Sequence, residues 1–124
     1  MNPGIALAGR ILIALLFFVS GVLKILHFTG TVDYFTKVGM PASQIMTVIA
    51  IIIELGGGIL LIVGWRTRWV AWLLALFVLV ATVVGHRVWE DAAQLDHFLK
   101  NVAIIGALLY IAAFGPGRYS IDKA

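Results

Sequence analysis

The feature that most constrains the fold is an apolar run around a single carboxylate. Residues 44–64 contain one charged side chain, that of Glu54, and three glycines follow it at 56–58. A run of about 20 apolar residues is long enough to cross the hydrocarbon core of a bilayer as a helix. A charge near the middle of such a helix costs about 2.5–3.5 kcal/mol on insertion scales. We therefore expect Glu54 to face protein rather than lipid.

The composition agrees with a membrane-spanning chain. Of its 124 residues, 62% are hydrophobic and 12% are charged, and the mean hydropathy is +1.07. A soluble domain of this size needs a far more polar surface, so we expect the lipid bilayer to surround the chain. The chain has no cysteine, which excludes thiol redox chemistry, disulfides and thiolate metal sites. Its net charge of +3 is scattered without a basic run, so we expect no nucleic-acid partner.

Four apolar segments indicate the number of membrane spans. They lie at about 5–26, 44–64, 69–88 and 98–114, and each is close to the roughly 20 residues that cross a hydrocarbon core. A backbone in lipid must satisfy its own hydrogen bonds, and these segments are too long and too continuously apolar for barrel strands. The sequence therefore predicts an all-α fold, a four-transmembrane-helix bundle in a single domain over residues 1–124.

Two further segments lie outside the spans. Between the first two spans, Val32, Phe35 and Val38 recur at helical spacing, and Gly39 before Pro41 is a helix-stop signal. We expect a short interfacial helix between helices 1 and 2, lying on the membrane surface. The tail that follows the last span is rich in glycine and polar residues and has the composition of an exposed turn.

The distribution of charge predicts the orientation of the bundle. An even number of spans places both termini on one side, together with the tight connection between helices 2 and 3. That side carries four basic residues and one acid: Arg66, Arg68, Arg118, Lys123 and Asp122. The opposite side carries two basic and four acidic residues: Lys37, Arg87, Asp33, Glu90, Asp91 and Asp96. Because basic residues bias short loops to the cytoplasm, we expect both termini to be cytoplasmic.

Polar residues in the first two spans indicate an internal site. Arg10, Ser20 and Lys24 share one face of the first helix. Arg10 and Lys24 can either point into the bundle or extend to opposite membrane interfaces. Glu54 can form a structural ion pair with Arg10 or Lys24, or serve as a proton-accepting or ligand-orienting carboxylate. The sequence leaves both alternatives open.

The last two spans add polar residues at the same depth. His86 closes the third span, where a histidine can also be a solvated or capping residue. His97, Lys100 and Asn101 follow i, i+3, i+4 spacing and form one polar face on the first turns of the fourth span. The candidate ligand-binding residues are therefore Arg10, Lys24, Glu54, His86, His97, Lys100 and Asn101. Their excess of donors and positive charge favours an oxyanion or a quinone-like head group. We expect no metal site, because no pair of histidines has short spacing within a helix.

Short motifs in a fixed order along the chain resemble those of the DoxX family of bacterial four-helix membrane proteins. The motifs are Gly-Arg at 9–10, Ser-Gly-Val-Leu-Lys at 20–24, Gly-Met-Pro at 39–41, Glu-Leu-Gly-Gly-Gly at 54–58, Gly-His at 85–86, Phe-Leu-Lys-Asn at 98–101 and Gly-Pro-Gly-Arg-Tyr-Ser-Ile-Asp at 115–122. They cover almost the whole chain. The resemblance implies a multi-pass protein of the bacterial cytoplasmic (inner) membrane.

The resemblance also implies a class of function. Members of the family include a membrane subunit linked to thiosulfate oxidation with quinone as acceptor, and others are associated with oxidative-stress complexes or with resistance to quinones and catechols. The family offers no settled catalytic motif. Six residues match its recurring polar positions: Arg10, Lys24, Glu54, His86, Lys100 and Asn101.

The leading hypothesis is therefore a quinone- or small-oxyanion-binding membrane subunit associated with an oxidoreductase or oxidative-stress system. A quinone is the cofactor that this hypothesis suggests, and an oxidoreductase subunit is the partner. The alternatives are a structural or assembly scaffold, in which the buried polar residues only fix helix packing, and a component of a small-solute transporter. A transporter of four helices would need a homo-oligomer.

Overall fold

The computed structural model describes residues 2–85 and 92–122, and within these residues the chain is helical without strands. The helices are α1 (Pro3–Leu26), α2 (Phe28–Lys37), α3 (Ser43–Val63), α4 (Thr67–Gly85) and α5 (Leu95–Phe114), with one 3-10 turn at Ala92–Gln94 before α5. Helices α1, α3, α4 and α5 are long and apolar enough to cross a membrane. The predicted all-α bundle of four transmembrane helices is confirmed, and α2 is the predicted short interfacial helix.

Local sequence explains where the helices begin and end. The Asn2 side chain accepts hydrogen bonds from the amides of Gly4 and Ile5, at 2.9 and 3.1 Å, and Pro3 occupies the first helical position of α1. Helix α3 ends at Val63 and is capped by Gly64, whose φ of +73° is the left-handed conformation that favours glycine. Capping thus accounts for the start of α1 and for the tight turn between α3 and α4.

Two antiparallel helix pairs build the bundle. Helix α1 packs along α3, and α4 packs along α5. The two pairs contact each other mainly where α3 meets α4, and α1 makes little contact with α5. Close approach of α1 and α3 depends on glycine. A Cβ atom added at Gly58 would lie 3.1 Å from both the Ala14 carbonyl oxygen and the Phe18 amide nitrogen. The glycines after Glu54 therefore allow two backbones to meet, as small residues do in membrane helices.

Apolar side chains divide between a thin core and a lipid-facing surface. The fully buried large side chains include Leu61, Leu74 and Leu108. Most large apolar residues of the four long helices are exposed instead, and in each helix only a third or less of the apolar stretch is buried within the protein. Lipid contact explains this exposure, because a soluble protein rarely leaves such extensive apolar surface uncovered.

The two ends of the bundle differ. One end, here called the terminal end, holds the start of α1, the α3–α4 turn and the C-terminal tail. The other, the cavity end, holds α2, which has no fully buried residue. The Tyr34 hydroxyl of α2 donates to the Gly85 carbonyl oxygen at 3.4 Å, which ties the interfacial helix to the end of α4.

The tail is the expected exposed turn only in part. Gly115, Pro116 and Gly117 are buried, whereas Arg118, Tyr119, Ile121 and Asp122 are exposed. Downstream, the amides of Ile121 and Asp122 donate to the carbonyl oxygens of Val63 and Gly64 at 3.0 and 2.9 Å. The composition alone suggested exposure, but the unsubstituted backbone of the glycines also permits close docking against the α3–α4 turn.

Candidate functional site

The centre of the candidate site is an ion pair between α1 and α3. The Lys24 Nζ atom lies 2.6 Å from Oε1 of Glu54, and the exposed fractions of the two side chains are 23% and 3%. The same Nζ donates to Ser20 Oγ at 3.0 Å, one turn earlier in α1. Of the two cations that the sequence offered as partners for Glu54, the structure selects Lys24.

The geometry of the ammonium leaves one hydrogen-bonding position open. A lysine ammonium has three N–H donors; Ser20 Oγ accepts a hydrogen bond from one, and the Glu54 carboxylate lies at ion-pair distance without forming a hydrogen bond of regular geometry. Lys24 also lines a cavity, so its remaining donor is available to an acceptor there. The pair as a whole carries no net charge, and it therefore presents a directed N–H group rather than an uncompensated cation.

The cavity has a volume of about 690 Å³ and lies between the α1–α3 pair and the α4–α5 pair, under α2. This volume falls in the usual range for small-molecule sites. Its wall is mainly apolar, with side chains such as Phe17, Ile53 and Phe77. The polar residues that line it are Ser20, Lys24, His27, Thr31, Tyr34, Glu54 and Asn101. Such a chamber suits a largely apolar molecule with a few hydrogen-bonding groups.

Helix α2 and its N-cap residue His27 supply a part of the cavity wall that was not predicted from the sequence. His27, Thr31 and Tyr34 line the cavity but were not among the predicted site residues. Their spacing of four and three residues places them on one face of a helix, so periodicity within the interfacial helix could have identified them. The sequence does not show, however, that α2 packs over the bundle, and without that information these residues cannot be assigned to the cavity.

On the opposite side, Asn101 of α5 reaches the cavity and its neighbour Lys100 does not. The Asn101 Nδ2 atom donates to Thr82 Oγ1 at 3.0 Å, and Thr82 donates in turn to the Val78 carbonyl oxygen at 2.6 Å. Lys100 instead pairs with Asp96 at 3.0 Å, and both side chains are more than two thirds exposed. Consecutive helical residues point about 100° apart, so one of the two faces outward.

Of the two predicted histidines, the structure describes His97 alone. His97 is exposed, and it is not among the residues that line the chamber. His86 lies outside the described residues, so its position is not assigned. Within residues 2–85 and 92–122, no group of three histidine or acidic side chains is arranged to hold a metal ion.

Arg10 belongs to a different centre. It precedes Lys24 by fourteen residues in α1, which corresponds to about 21 Å along a helix. Its buried guanidinium donates to the carbonyl oxygens of Pro116, Tyr119 and Ile62 at 2.6, 2.7 and 3.2 Å. Arg10 thus fastens the C-terminal tail to the terminal end, far from the cavity that it was expected to border.

Asp122 completes the terminal end. Its Oδ1 and Oδ2 atoms accept hydrogen bonds from the amides of Arg66 and Thr67, both at 2.8 Å, so the tail caps the first turn of α4. Desolvation acts to raise the pKa of Asp122, but the hydrogen bonds from the Thr67 and Arg66 amides outweigh it and hold the pKa below its ordinary value. The carboxylate is therefore charged at neutral pH.

Together, the fold and the cavity define a class: a four-helix membrane protein in which a half-buried lysine, paired with a buried glutamate, borders an apolar chamber. The DoxX family model matches residues 5–87, and the chain belongs to the DoxX family. This confirms the resemblance seen in the motifs. The matched region includes α1 to α4 and both members of the ion pair.

Three relatives show how much of the chain the similarity covers. The chain is 36% identical over 127 residues to the inner membrane protein YphA of Escherichia coli K12, covering 98% of this chain and 91% of the relative. It is 36% identical over 117 residues to the inner membrane protein YqjF of the same organism, covering 94% and 88%. The "Putative oxidoreductase CatD" of Bacillus subtilis 168 is 35% identical over 101 residues, covering 80% and 74%. No solved structure matches the chain.

Proposed function

We propose that the protein binds a quinone-type ligand in the cavity and works as the membrane subunit of an oxidoreductase system. The observation that carries the proposal is the neutral Lys24–Glu54 pair in the wall of a largely apolar chamber. A quinone combines an apolar ring with carbonyl oxygens. The ring would occupy the apolar volume, and the remaining N–H donor of Lys24 would bind one carbonyl oxygen.

Charge favours a quinone over a small oxyanion. The positive charge of Lys24 is compensated by Glu54, and the other predicted cations, Lys100 and Arg10, lie outside the cavity. A bound oxyanion would then be a desolvated charge without a matching cation, and burial of an unpaired charge is costly. A neutral carbonyl acceptor avoids that cost. Of the two ligands considered from the sequence, a quinone or a small oxyanion, the described lining therefore supports the quinone.

The proposed partner follows from redox chemistry. A quinone can accept electrons, but this chain has no cysteine thiols to deliver them. We propose that a separate oxidoreductase subunit is the electron donor. The name of the Bacillus subtilis relative, "Putative oxidoreductase CatD", supports this association. The role of the present chain is then to bind and orient the ligand within the bilayer.

The proposed location is the bacterial inner membrane, with both termini in the cytoplasm. The names of the two Escherichia coli relatives support the inner membrane, and the arginines of the terminal end support the orientation. The chain lacks cysteine, so single cysteines are specific reporters. In intact cells, a membrane-impermeant maleimide should label Lys37→Cys and leave Asn2→Cys unlabelled. The reverse pattern would contradict the orientation.

Equilibrium binding of a short-chain ubiquinone to the purified protein in neutral detergent tests the proposal. The test variant is the double substitution Lys24→Met with Glu54→Leu. It removes the polar pair without leaving a lone buried charge, and such replacements are often tolerated. The matched control is Lys100→Gln, because Lys100 belongs to an exposed ion pair outside the cavity.

We expect saturable binding to the wild type and to the Lys100 variant, and binding that is about 10- to 100-fold weaker in the double variant. That range corresponds to the loss of a hydrogen bond from a charged donor. A folded wild type with no saturable quinone binding would contradict the proposal and favour the scaffold alternative. Equal binding by the wild type and the double variant would remove Lys24 from the site.

A further inference from the structure

We propose that the terminal end binds the phosphate of an anionic phospholipid at a surface formed by the α3–α4 turn and the C-terminal tail. The site is separate from the cavity and does not depend on the quinone proposal. It is defined by three exposed arginines, Arg66, Arg68 and Arg118, and is called the arginine surface below.

Docking of the tail is what assembles the arginine surface. Arg118 is distant in sequence from Arg66 and Arg68, but the tail is held against the α3–α4 turn by the hydrogen bonds from Ile121 and Asp122. The docking is close: a Cβ atom at Gly64 would collide with the Ser120 side chain. Arg68 lies against the start of the same tail, where its Nη2 atom would be 3.0 Å from a Cβ on Gly115.

The charge of this surface is only partly compensated. Among the described residues of the terminal end, Asp122 is the one acid, and each of its oxygens already accepts an amide hydrogen bond. Its charge partly offsets Arg66, but four described guanidinium groups of this end, including that of the buried Arg10, share this single carboxylate. At the cavity end, by contrast, Lys24 pairs with Glu54 and Lys100 pairs with Asp96, and Lys37 is a single exposed lysine on α2, which also carries Asp33. Among the described residues, uncompensated positive charge is therefore concentrated at the arginine surface, where a phosphate can accept hydrogen bonds from the paired N–H groups of arginine.

Aromatic residues place this surface at the depth of lipid head groups. The Arg66 guanidinium lies over the Trp65 ring, with Cζ 5.2 Å from the ring centroid. Trp65 is 44% exposed and Trp69 is 73% exposed. Tryptophan is enriched at the interface between lipid and water, so the arginines beside these rings lie near the phosphate level.

A phospholipid fits this surface better than a soluble anion because the surface continues into an apolar face. Below the arginines, Trp69 and Trp72 of α4 are exposed on the membrane-facing side of the helix. A phosphate bound by the arginines would have its acyl chains beside these rings. Anionic lipids attract basic residues next to a membrane by about 1 kcal/mol for each residue, and here the residues are held in one place by the docked tail.

Native mass spectrometry of the purified protein in neutral maltoside detergent tests this proposal. Phosphatidylglycerol is titrated against phosphatidylcholine for the wild type, for Arg66→Gln with Arg118→Gln, and for Lys37→Gln as a control at the cavity end. We expect the wild type to bind phosphatidylglycerol preferentially. The double variant should bind it about 30-fold more weakly, the equivalent of two lost basic contacts, and Lys37→Gln should not change binding.

Three results would overturn the proposal: equal binding of the two lipids, unchanged phosphatidylglycerol binding by the double variant, or inorganic phosphate alone binding as tightly as the lipid. If the double variant does not fold, Arg118→Gln alone serves the same purpose. In the described part of the chain, the Arg118 side chain makes no hydrogen bond or ion pair, so its replacement should leave folding intact. The expected loss is then about 5-fold.

Discussion

The Lys24 ammonium and the Glu54 carboxylate meet at 2.6 Å, one from α1 and one from the antiparallel helix α3. Their contact explains how an acid is tolerated inside an apolar membrane helix. It also fixes the register of the two helices at the level of the cavity. Because the pair is neutral but retains one unused N–H donor, it can stabilise the bundle and orient a ligand at the same time.

Replacing one member of the Lys24–Glu54 pair should destabilise the protein more than replacing both. Glu54→Gln or Lys24→Met leaves a charge without its partner and should lower the free energy of unfolding by about 3 kcal/mol or more. The double variant Lys24→Met with Glu54→Leu should recover most of that loss. Thermal unfolding in detergent measures the difference. Single variants that unfold with the wild type would show that the ion pair contributes nothing to stability.

Close packing of α1 on α3 should be sensitive to one added methyl group. In Gly58→Ala, the new Cβ would lie 3.1 Å from backbone atoms of α1, so the helices must separate. We expect a loss of about 1–3 kcal/mol in the free energy of unfolding. Gly106→Ala in α5 is the control, because nothing lies within 4 Å of its added Cβ. That variant should be neutral or slightly more stable, since alanine favours helices. Equal effects at both positions would contradict the packing account.

Asp122 should stabilise the protein in a pH-dependent way. Asp122→Ala removes the cap of α4 and should cost about 0.5–2 kcal/mol at neutral pH. The folded-state pKa lies below the ordinary value, so the stabilisation is present above the unfolded-state pKa of about 3.9 and is lost as the pH falls through the folded pKa. Unfolding of both proteins from neutral pH to below pH 4 should show the difference shrinking only in acid. If the difference in free energy of unfolding between the two proteins grew in acid, the capping role of Asp122 would be contradicted.

Arg10 should hold the C-terminal tail in place without affecting ligand binding in the cavity. Arg10→Lys replaces a planar fork of donors with a compact ammonium, which cannot reach the three carbonyl oxygens in the same way. Hydrogen exchange should then increase across residues 115–122, while ubiquinone binding about 21 Å away stays within a factor of about two. Arg118→Gln is the control and should leave exchange in the tail unchanged. Loss of quinone binding in Arg10→Lys would contradict this separation and indicate that Arg10 contributes to the ligand site.

The fold was predictable from segment length and from the cost of burying charge in lipid. Four apolar runs gave four spans, and the isolated acid indicated an inward face on α3. The identity of its partner was not predictable, because Arg10 and Lys24 share a face of α1 and only the register of α1 against α3 separates them. Docking of the tail was also hidden, since it depends on a contact between Arg10 and Pro116, which are 106 residues apart.

The fourth span shows the limit of periodicity at a site. The i, i+3, i+4 pattern grouped His97, Lys100 and Asn101 on one face, but the chamber takes only Asn101. Lys100 has a nearby acid at i−4, and the resulting exposed pair satisfies it outside the bundle. A pattern of polar residues therefore indicated the right helix turn, and tertiary packing decided which member enters the cavity.

Photolabelling with a quinone analogue, mapped by peptide mass spectrometry, tests directly whether the cavity binds a quinone. We expect labels on cavity-lining residues of α1 to α4, such as Phe17, Tyr34, Ile53 and Phe77, and loss of those labels in Lys24→Met with Glu54→Leu. Labels confined to lipid-facing positions outside the cavity, such as Leu12 or Ile52, and equal in both proteins, would contradict quinone binding in the cavity.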